Sequence, residues 1–413
     1  MQSLAHPHIV VDHLPLAKSS LRVAFVTETY PPEVNGVSLT VARLVEGLQQ
    51  RQHQVQLIRP RQTAIALADA PPQPHEVLMR GLPIPRYPNL RMGLPARRAL
   101  VRLWSVHRPD VVHIATEGPL GWSALQAALH LRLPVCSDFR TNFHAYSQHY
   151  GVGWLRRPIM AYLRKFHNQT QCTMVPTEDL RQSLVSAGFH NVQVVSRGVD
   201  VERFHPRHRS DDLRAGWCVS PDELVVACVG RLAAEKNLEL LLTAFQAIGR
   251  AGIKARLLLV GDGPMREALR HRCPQAVLAG QRTGADLAAH YASADLFVFP
   301  SLTETFGNVT AEAMASGLPV LAFDYAAAAQ LIDSGVNGVL APLADETAFV
   351  REAVRLAGDR AHRASLGARA RETACQIGWD SVVSRFVGVL SAVSRRTPAA
   401  SVSDGELASA RTV

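Results

Sequence analysis

The sequence predicts an α/β fold with two doubly wound parallel sheets, and three observations support this prediction. Short apolar segments alternate with longer amphipathic ones along nearly the whole chain, as is typical of parallel sheets. The alternating series occurs twice, interrupted by a turn and a polar stretch near residue 198. At 413 residues the chain is also too long for one ordinary core. Two Rossmann-like domains facing each other would place a binding site in the cleft between the carboxyl ends of their strands.

The first series is predicted to form a domain over residues 21–198, after a flexible extension at 1–20. Leu21 to Thr27 is an apolar strand, and Gly36 opens a helix to about Gln52 with apolar residues on one face. Further strands are expected at Val55 to Ile58, Val111 to Ile114, Pro134 to Ser137, Thr173 to Pro176 and Val192 to Ser196, and helices at Ala96 to His107 and Ile159 to Asn168. Residues 59–95 contain eight prolines and predict only a loop or short edge strands.

The second series predicts another domain over residues 199–378. Its strands are expected at Leu224 to Gly230, Ala255 to Val260, Ala276 to Ala279, Asp295 to Pro300, Pro319 to Phe323 and Gly338 to Ala341. A helix at Ala344 to Ala357 follows, and Trp379-Asp380-Ser381 begins a last helix over 379–392. Residues 393–413, rich in Ser, Arg, Thr, Pro and Ala, predict a disordered tail.

Composition argues against several classes of protein. Hydrophobic residues make up 47% of the chain, which is typical of globular proteins. The six cysteines form no Cys-x-x-Cys pair, which argues against a disulfide framework and a zinc site and favours a reducing cytoplasm. No run of about 18 apolar residues and no signal-peptide layout is present, so we expect a cytoplasmic chain that does not span a membrane.

The net charge of +9 resides entirely in the first half of the chain. Residues 1–197 carry 21 Lys and Arg against 11 Asp and Glu, much of the excess lying in 86–108 and 156–165 between aromatic and aliphatic residues. This pattern favours docking on anionic lipid headgroups. The alternative is a solvated basic face on helices whose apolar side is core. Nucleic acid is not expected as a partner, since no nucleic-acid-binding module is recognisable.

The stretch from Ser301 to Pro319 carries the strongest functional signal. An apolar strand ends in a short polar loop, and a helix begins near Gly307, so the backbone N–H groups of Phe306, Gly307, Asn308 and Val309 and the helix dipole form an anion site. Glu304 precedes the helix and Glu312 lies within it. Because carboxylates accept hydrogen bonds from paired hydroxyls, the expected ligand is a phosphate with sugars on both sides, that is, a nucleotide diphosphate sugar. The alternative is an ordinary strand-to-helix turn with two solvated glutamates.

A second group of charged residues follows another strand. Gly230-Arg231 ends the strand, and Glu235-Lys236 begins the next helical segment, so two cations lie at the mouth of one sheet with a single glutamate between them. Fixed cations there would stabilise the charge on a departing diphosphate. The chain has no Asp-x-Asp pair, so we expect neither a metal ion nor another cofactor, and the alternative is a surface charge cluster.

These motifs resemble those of retaining glycosyltransferases of family 4, which have the GT-B fold, and the resemblance spans about residues 21–390. Glu304-x-Phe306-Gly307 with Glu312 matches the family signature, which implies that Glu304 contacts the donor sugar and Glu312 the ribose. The match at Arg231 and Lys236 implies that both residues stabilise the leaving group. The resemblance also implies nucleotide contacts from Gly36, Gly263 and Arg282, with a plain helix start at Gly36 and a solvated loop at Arg282 as the alternatives. The last helix is expected to cross back onto the first domain.

The chain departs from the family pattern in one loop, where Asp138-Phe139-Arg140-Thr141-Asn142-Phe143-His144 follows a strand. Relatives carry histidine at the position of Arg140, near the donor sugar. Three hypotheses stay open. Arg140 takes over by charge, His144 reaches the site from the loop, or neither is catalytic.

The predicted function is transfer of a sugar, most simply mannose from GDP-mannose, to a lipid or lipid-linked glycan at the cytoplasmic face of the membrane. Among relatives, sulfoquinovosyl and glucosyl diacylglycerol synthases suggest UDP-sugar donors as an alternative. A sugar-nucleotide 2-epimerase and a catalytically silent sugar-binding protein are hypotheses from other classes. The sequence leaves the donor, the acceptor, the linkage and the oligomeric state open.

Overall fold

The computed structural model describes residues 20–33, 35–61, 76–84, 87–140 and 156–396. The predicted N-terminal extension up to residue 19, the loop that contains His144, and the chain after residue 396 lie outside these ranges. The strands of the described residues form two parallel sheets and one small antiparallel ribbon. The predicted α/β class with two parallel-sheet domains is confirmed.

The first domain is built on strands β1 (Arg22–Val26), β2 (Gln54–Pro60), β3 (Glu76–Met79), β6 (Val111–Ile114), β7 (Val135–Asp138), β8 (Cys172–Val175) and β9 (Val192–Val194). They pair in parallel in the order β3-β2-β1-β6-β7-β8-β9. The helices are α1 (Gly36–Gln50), α2 (Arg97–Val106), α3 (Pro119–His130), α4 (Arg156–His167) and α5 (Glu178–Ser186). The strand bounds differ from the predicted ones by no more than two residues at either end.

Helices cover both faces of this sheet because its strands are apolar on both sides. Val23 and Phe25 of β1 belong to a buried cluster with residues of α1. Ala24 and Val26 belong to a second cluster with residues of α2 and α3. Since successive side chains of a strand point to opposite faces, the two clusters lie on opposite sides of the sheet, as in a doubly wound fold.

The second domain repeats this plan with strands β10 (Leu224–Val229), β11 (Ala255–Val260), β12 (Val277–Gly280), β13 (Leu296–Phe299), β14 (Val320–Phe323) and β15 (Val339–Ala341). The parallel order is β12-β11-β10-β13-β14-β15. Its helices are α6 (Asp211–Gly216), α7 (Leu238–Arg250), α8 (Arg266–Arg272), α9 (Gly284–Ala292), α10 (Asn308–Ala315), α11 (Ala326–Leu331), α12 (Glu346–Gly358) and α13 (Arg360–Cys375). Single 3₁₀ turns occur at Pro206–His208 and Ala234–Lys236.

Helix α13 is absent from the sequence prediction. Its buried residues are few and small, among them Leu366, Ala370 and Ala374, so it lacks a strong apolar stripe. The helix approaches the chain closely at Gly367, where an added Cβ would lie 2.2 Å from the carbonyl oxygen of Gly317. Arg371 donates to the carbonyl of Ala315 at the end of α10, at 2.7 Å. Helix α13 therefore stabilises the carboxyl end of α10 through this hydrogen bond.

The last helix, α14 (Trp379–Arg396), packs on the first domain. Phe386 and Leu390 are buried in the same cluster as β1 and α1. The ring centroids of Phe386 and His113 lie 4.8 Å apart. The prediction of a disordered tail from residue 393 was wrong for 393–396, because Val393 is buried in this cluster and extends the helix.

The described part of the proline-rich segment forms short edge strands, one of the two predicted possibilities. Strand β3 pairs with β2 at the edge of the first sheet. Strands β4 (Gly81–Ile84) and β5 (Tyr87–Gly93) form the antiparallel ribbon, in which Pro83 pairs with Arg91. A two-stranded ribbon has an outer edge whose N–H groups need no partner strand, so proline is tolerated there.

Candidate active site

The site lies where strand order reverses in the second sheet. Strand β10 pairs with β11 on one side and with β13 on the other, although β11 and β12 lie between β10 and β13 in the chain. The loops that leave β10 and β13 diverge above the sheet at this point, and ligands of open α/β sheets bind in such crevices. Arg231 and Lys236 follow β10, and Glu304 follows β13. Topology therefore brings together residues that are about 70 positions apart.

Two glycines allow the loop after β11 to lie against the loop after β10. A Cβ added at Gly261 would lie 1.9 Å from the carbonyl oxygen of Gly230, and one at Gly263 would lie 2.5 Å from that of Leu232. Both glycines have positive φ, at 136° and 158°. Glycine is therefore required at position 263, because a side chain there would collide with the neighbouring backbone beside the site. Its contact with the nucleotide stays a prediction.

The cations of the β10 loop each have a carboxylate partner. Arg231 pairs with Glu235, with its Nε 3.1 Å from Oε1, and Lys236 pairs with Glu304 across the two loops. Glu235 is held further by its carbonyl oxygen, which accepts a hydrogen bond from the Thr303 hydroxyl at 3.1 Å. Glu235, the single glutamate of this motif, thus pairs with Arg231. Lys236 pairs instead with Glu304, the glutamate predicted to contact the donor sugar.

Glu304 is fixed from three sides. Its Oε1 accepts a hydrogen bond from the Ser301 hydroxyl at 2.7 Å in addition to the contact with Lys236. The Tyr325 hydroxyl donates to the Glu304 carbonyl at 2.9 Å. Gly307 follows with φ of 93° and opens α10. The left-handed glycine turns the chain so that the first residues of the helix, Asn308 and Val309, directly follow the Glu304 loop.

Glu312 lies on α10 and is tied to the body of the second domain. The hydroxyl of the buried Tyr291 donates to its Oε2 at 2.9 Å. Burial raises the pKa of Glu312 to about 7, against which the hydrogen bond from Tyr291 acts. A carboxyl group with such a pKa can gain or lose a proton near neutral pH when a hydroxyl-rich ligand binds.

On the opposite wall, Arg140 belongs to a buried polar chain at the end of β7. Its Nε donates to Asp138 at 2.6 Å, and His113 Nε2 lies 3.0 Å from the same carboxylate oxygen. Burial alone would raise the pKa of Asp138, but the charge of Arg140 and the contacts with His113 hold it at about 2. Asp138 is therefore ionised near neutral pH and forms a buried ion pair with Arg140. His144 lies outside the described residues, so the three hypotheses for this loop stay open.

The remaining predicted residues take two different positions. Gly36 opens α1, and a Cβ added there would lie 3.5 Å from Nδ2 of Asn308, so the starts of α1 and α10 approach each other across the cleft. Phe306 is buried beneath the start of α10. Arg282 is exposed and pairs with Asp286 at 3.0 Å, as a solvated loop residue would.

Sequence reasoning missed Arg197, which lies three residues after β9 and contacts both Phe306 and Asn308. The signal was present, since Arg197-Gly198 follows a strand of the first sheet as Arg231 follows one of the second. Sequence reasoning also missed three hydroxyl groups that hold the two glutamates in place, those of Tyr291, Ser301 and Tyr325. Such hydroxyls leave no pattern in the sequence.

Two parallel-sheet domains, with cations and a helix N-terminus at the switch point of the second, are typical of α/β proteins that bind phosphate-containing ligands. Residues 34–203 match the family model described as Glycosyltransferase Family 4, and residues 223–359 match the model described as Glycosyl transferases group 1. The chain belongs to this family of glycosyltransferases.

Similar proteins agree with this assignment. The chain is 36% identical over 389 residues to the GDP-mannose-dependent alpha-mannosyltransferase of Mycobacterium tuberculosis, covering 91% of this chain and 98% of that protein. It is 31% identical over 316 residues to a sulfoquinovosyl transferase of Arabidopsis thaliana, covering 74% and 61%. The solved sucrose-phosphate synthase of Thermosynechococcus elongatus has the same fold, with a TM-score of 0.72 at 19% identity over 90% of this chain and 98% of that one.

Proposed function

We propose that this enzyme transfers mannose from GDP-mannose to a lipid or lipid-linked acceptor with retention of anomeric configuration. The observation that carries the proposal is the contact of Lys236 with Glu304 beside the N-terminus of α10. In this proposal Lys236 binds the diphosphate and Glu304 binds sugar hydroxyls, so the two side chains together would hold both parts of a nucleotide sugar. The similarity to a GDP-mannose-dependent mannosyltransferase over 91% of the chain supports mannose and GDP as the donor parts.

The reaction needs few groups from the protein. The acceptor hydroxyl oxygen bonds to the anomeric carbon on the face from which the bond to the diphosphate breaks, and its proton passes to a diphosphate oxygen. The products are the mannosylated acceptor and GDP. Arg231, Lys236 and the first N–H groups of α10 stabilise the charge that grows on the diphosphate, and Glu304 orients the sugar.

In this proposal the protein's own cations act on the leaving group, without a bound metal ion. Among the residues with described positions, no group of three His, Cys, Asp or Glu side chains could hold a metal ion. Arg231 and Lys236 supply fixed positive charge where a cation would otherwise act. Assays with and without a chelator should therefore give equal rates.

The site is proposed to work at the cytoplasmic membrane face. Within the described ranges, no helix has both the length and the apolar character needed to cross a bilayer. Docking would use the exposed arginines of α2 and α4, such as Arg98, Arg102 and Arg157. Leu100 and Trp104 lie between these arginines in the sequence of α2. They are buried in the core and are therefore not part of this surface.

The function is tested with the purified full-length chain, total bacterial lipids as acceptor, and GDP-mannose, UDP-glucose or UDP-sulfoquinovose as donor. We expect a mannolipid with an α-linkage from GDP-mannose alone, and much slower formation of it by Glu304→Gln. The exposed Glu267 of α8, changed to Gln, is the matched control and should retain activity. Transfer only from a UDP sugar would favour the sulfoquinovosyl or glucosyl alternative. Conversion of the nucleotide sugar without any acceptor would favour an epimerase.

A further inference from the structure

Arg197 is a buried arginine between the two domains, and only 7% of its surface is exposed. It follows β9 of the first domain but contacts the second. One Nη donates to the side-chain oxygen of Asn308 at 3.3 Å, and the guanidinium carbon lies 5.7 Å from the centroid of the Phe306 ring. Its other Nη is buried and has no hydrogen-bond partner among the described residues. A buried charged donor without a partner is costly, and binding a ligand at this donor would offset that cost.

The surroundings of Arg197 have an excess of positive charge. Arg197 and Arg140 line the same cavity, and the nearby carboxylate of Asp138 already accepts from Arg140 and contacts His113. The nearby carboxylate of Glu304 already contacts Lys236 and Ser301. Burial and the repulsion from Arg140 lower the pKa of Arg197 to about 9.

The backbone adds to this positive charge. Asn308, the residue that Arg197 contacts, is the first residue of α10, and Gly36, the first residue of α1, faces it across the cleft. Helix N-termini carry partial positive charge and favour anions. Two guanidinium groups thus line one cavity, and one of them, Arg197, also reaches the start of α10, which the start of α1 approaches. An anion is the ligand that this positive charge favours.

We propose that Arg197 binds the diphosphate of the donor from the first-domain side and thereby holds the two domains together around it. This inference rests on the proposed function, because it names the anion as the diphosphate of a nucleotide sugar. Arg231 and Lys236 reach the same group from the second domain. The diphosphate then bridges the domains, and its departure as GDP removes the bridge and favours opening.

The test measures binding of GDP and of guanosine by calorimetry without acceptor, in wild type, Arg197→Met and Arg197→Lys. A charge-assisted hydrogen bond is worth about 1.5–3 kcal/mol, so Arg197→Met should weaken GDP binding about 10- to 100-fold. Guanosine, which has no phosphate, should bind all three proteins equally. Arg197→Lys should be intermediate, since lysine keeps the charge but loses the planar pair of donors.

Arg43 provides a matched control, because it is another first-domain arginine that reaches across, to Asp200. Arg43→Met should leave GDP binding unchanged. Stability gives a second readout. Without ligand, Arg197→Met should unfold at an equal or higher temperature than wild type, since it removes a buried charge that lacks one partner, whereas a merely structural arginine would lower that temperature when replaced.

The possible results separate this inference from the proposed function. If wild type binds no GDP, the proposed function fails. If wild type binds GDP and Arg197→Met binds it equally well, the role of Arg197 is wrong. Equal loss of GDP and guanosine binding would also overturn the role of Arg197 in binding the diphosphate. An effect confined to the KM of the acceptor would overturn it as well, because Arg197 would then bind an anion of the acceptor.

Discussion

Lys236 and Glu304 neutralise each other in the structure, and this pairing has a consequence for the donor. A bound nucleotide sugar offers the ammonium group a diphosphate and offers the carboxylate the sugar hydroxyls. In the proposed mechanism Lys236 turns to the phosphate, and Ser301 would still orient Glu304, because its hydroxyl donates to the same oxygen. Both partners are only 14% exposed, so their charges interact more strongly than those of a surface pair.

We therefore expect Lys236→Ala to lower kcat about 100-fold or more while the KM for the donor changes less, because charge on the leaving diphosphate is greatest in the transition state. Arg231→Ala should act in the same direction. Steady-state kinetics with GDP-mannose measure both. Arg270→Ala is the control, since Arg270 is an exposed arginine of α8 paired with Glu267.

The pairing itself is checked by a double substitution. Lys236→Ala leaves the Glu304 carboxylate facing the diphosphate without its partner, so adding Glu304→Gln should cost less than it does in the wild-type background. Additive losses of activation free energy would mean that the two residues act independently. Unchanged kcat in Lys236→Ala would remove its role in leaving-group departure.

At the scale of elements, α2 illustrates how one helix serves both the core and a surface. Leu100 and Trp104 are fully buried on one side, and the indole N–H of Trp104 donates to Gln56 at 3.0 Å. Arg97, Arg98 and Arg102 are exposed on the other side. This arrangement is what the solvated-face alternative describes, and it is equally suited to an anionic membrane, so only an experiment distinguishes them.

Replacing the three exposed arginines of α2 by Gln should weaken binding to vesicles that contain anionic lipid. Each basic side chain near such a surface is worth about 1 kcal/mol, so the loss is about 3 kcal/mol, or roughly 100-fold in affinity. Sedimentation with anionic and neutral vesicles at low and high salt measures it. Arg351→Gln with Arg355→Gln on α12 is the control, since both are exposed on a helix of the second domain. Equal sedimentation of all proteins would leave the basic face without a membrane role.

At the scale of the whole molecule, the chain crosses between the domains twice at one place. Val199 forms a parallel bridge with Gly378, and a Cβ added at Gly198 would lie 2.9 Å from the Cα of Trp379. Helix α14 then completes the core of the first domain. The first domain therefore depends for its stability on residues nearly 200 positions after its last strand.

Phe386→Ala should destabilise the first domain by about 3–5 kcal/mol, the usual cost of removing a buried aromatic ring. Hydrogen exchange of the amides in β1 should accelerate, while exchange in β10 stays near its wild-type rate. Phe349→Ala, which removes a fully buried ring of α12 from the second-domain core, should show the opposite pattern. Protection of β1 that is unaffected by Phe386→Ala would show that α14 does not hold this core.

The sequence alone determined the fold class, most strand positions and the residues that follow β10 and β13. This was possible because buried parallel strands are continuous apolar segments, and because glycines and charged residues directly after a strand mark a loop that leads into a helix N-terminus. The family resemblance predicted roles for Glu304 and Glu312. The structure shows where both side chains lie, and their roles stay predictions. Helix α13 escaped prediction because its buried residues are mainly small, so it has no strong apolar period.

Only the tertiary structure decided which charges meet. The pairing of Lys236 with Glu304 and the contact of Arg197 with Asn308 depend on which strands lie next to each other and on how the two domains approach. Sequence spacing carries no information on contacts between residues about 70 or more than 100 positions apart. Strand order in the sheets and the approach of the two domains fix those contacts, since parallel strands place their carboxyl ends, and the side chains that follow them, at one edge.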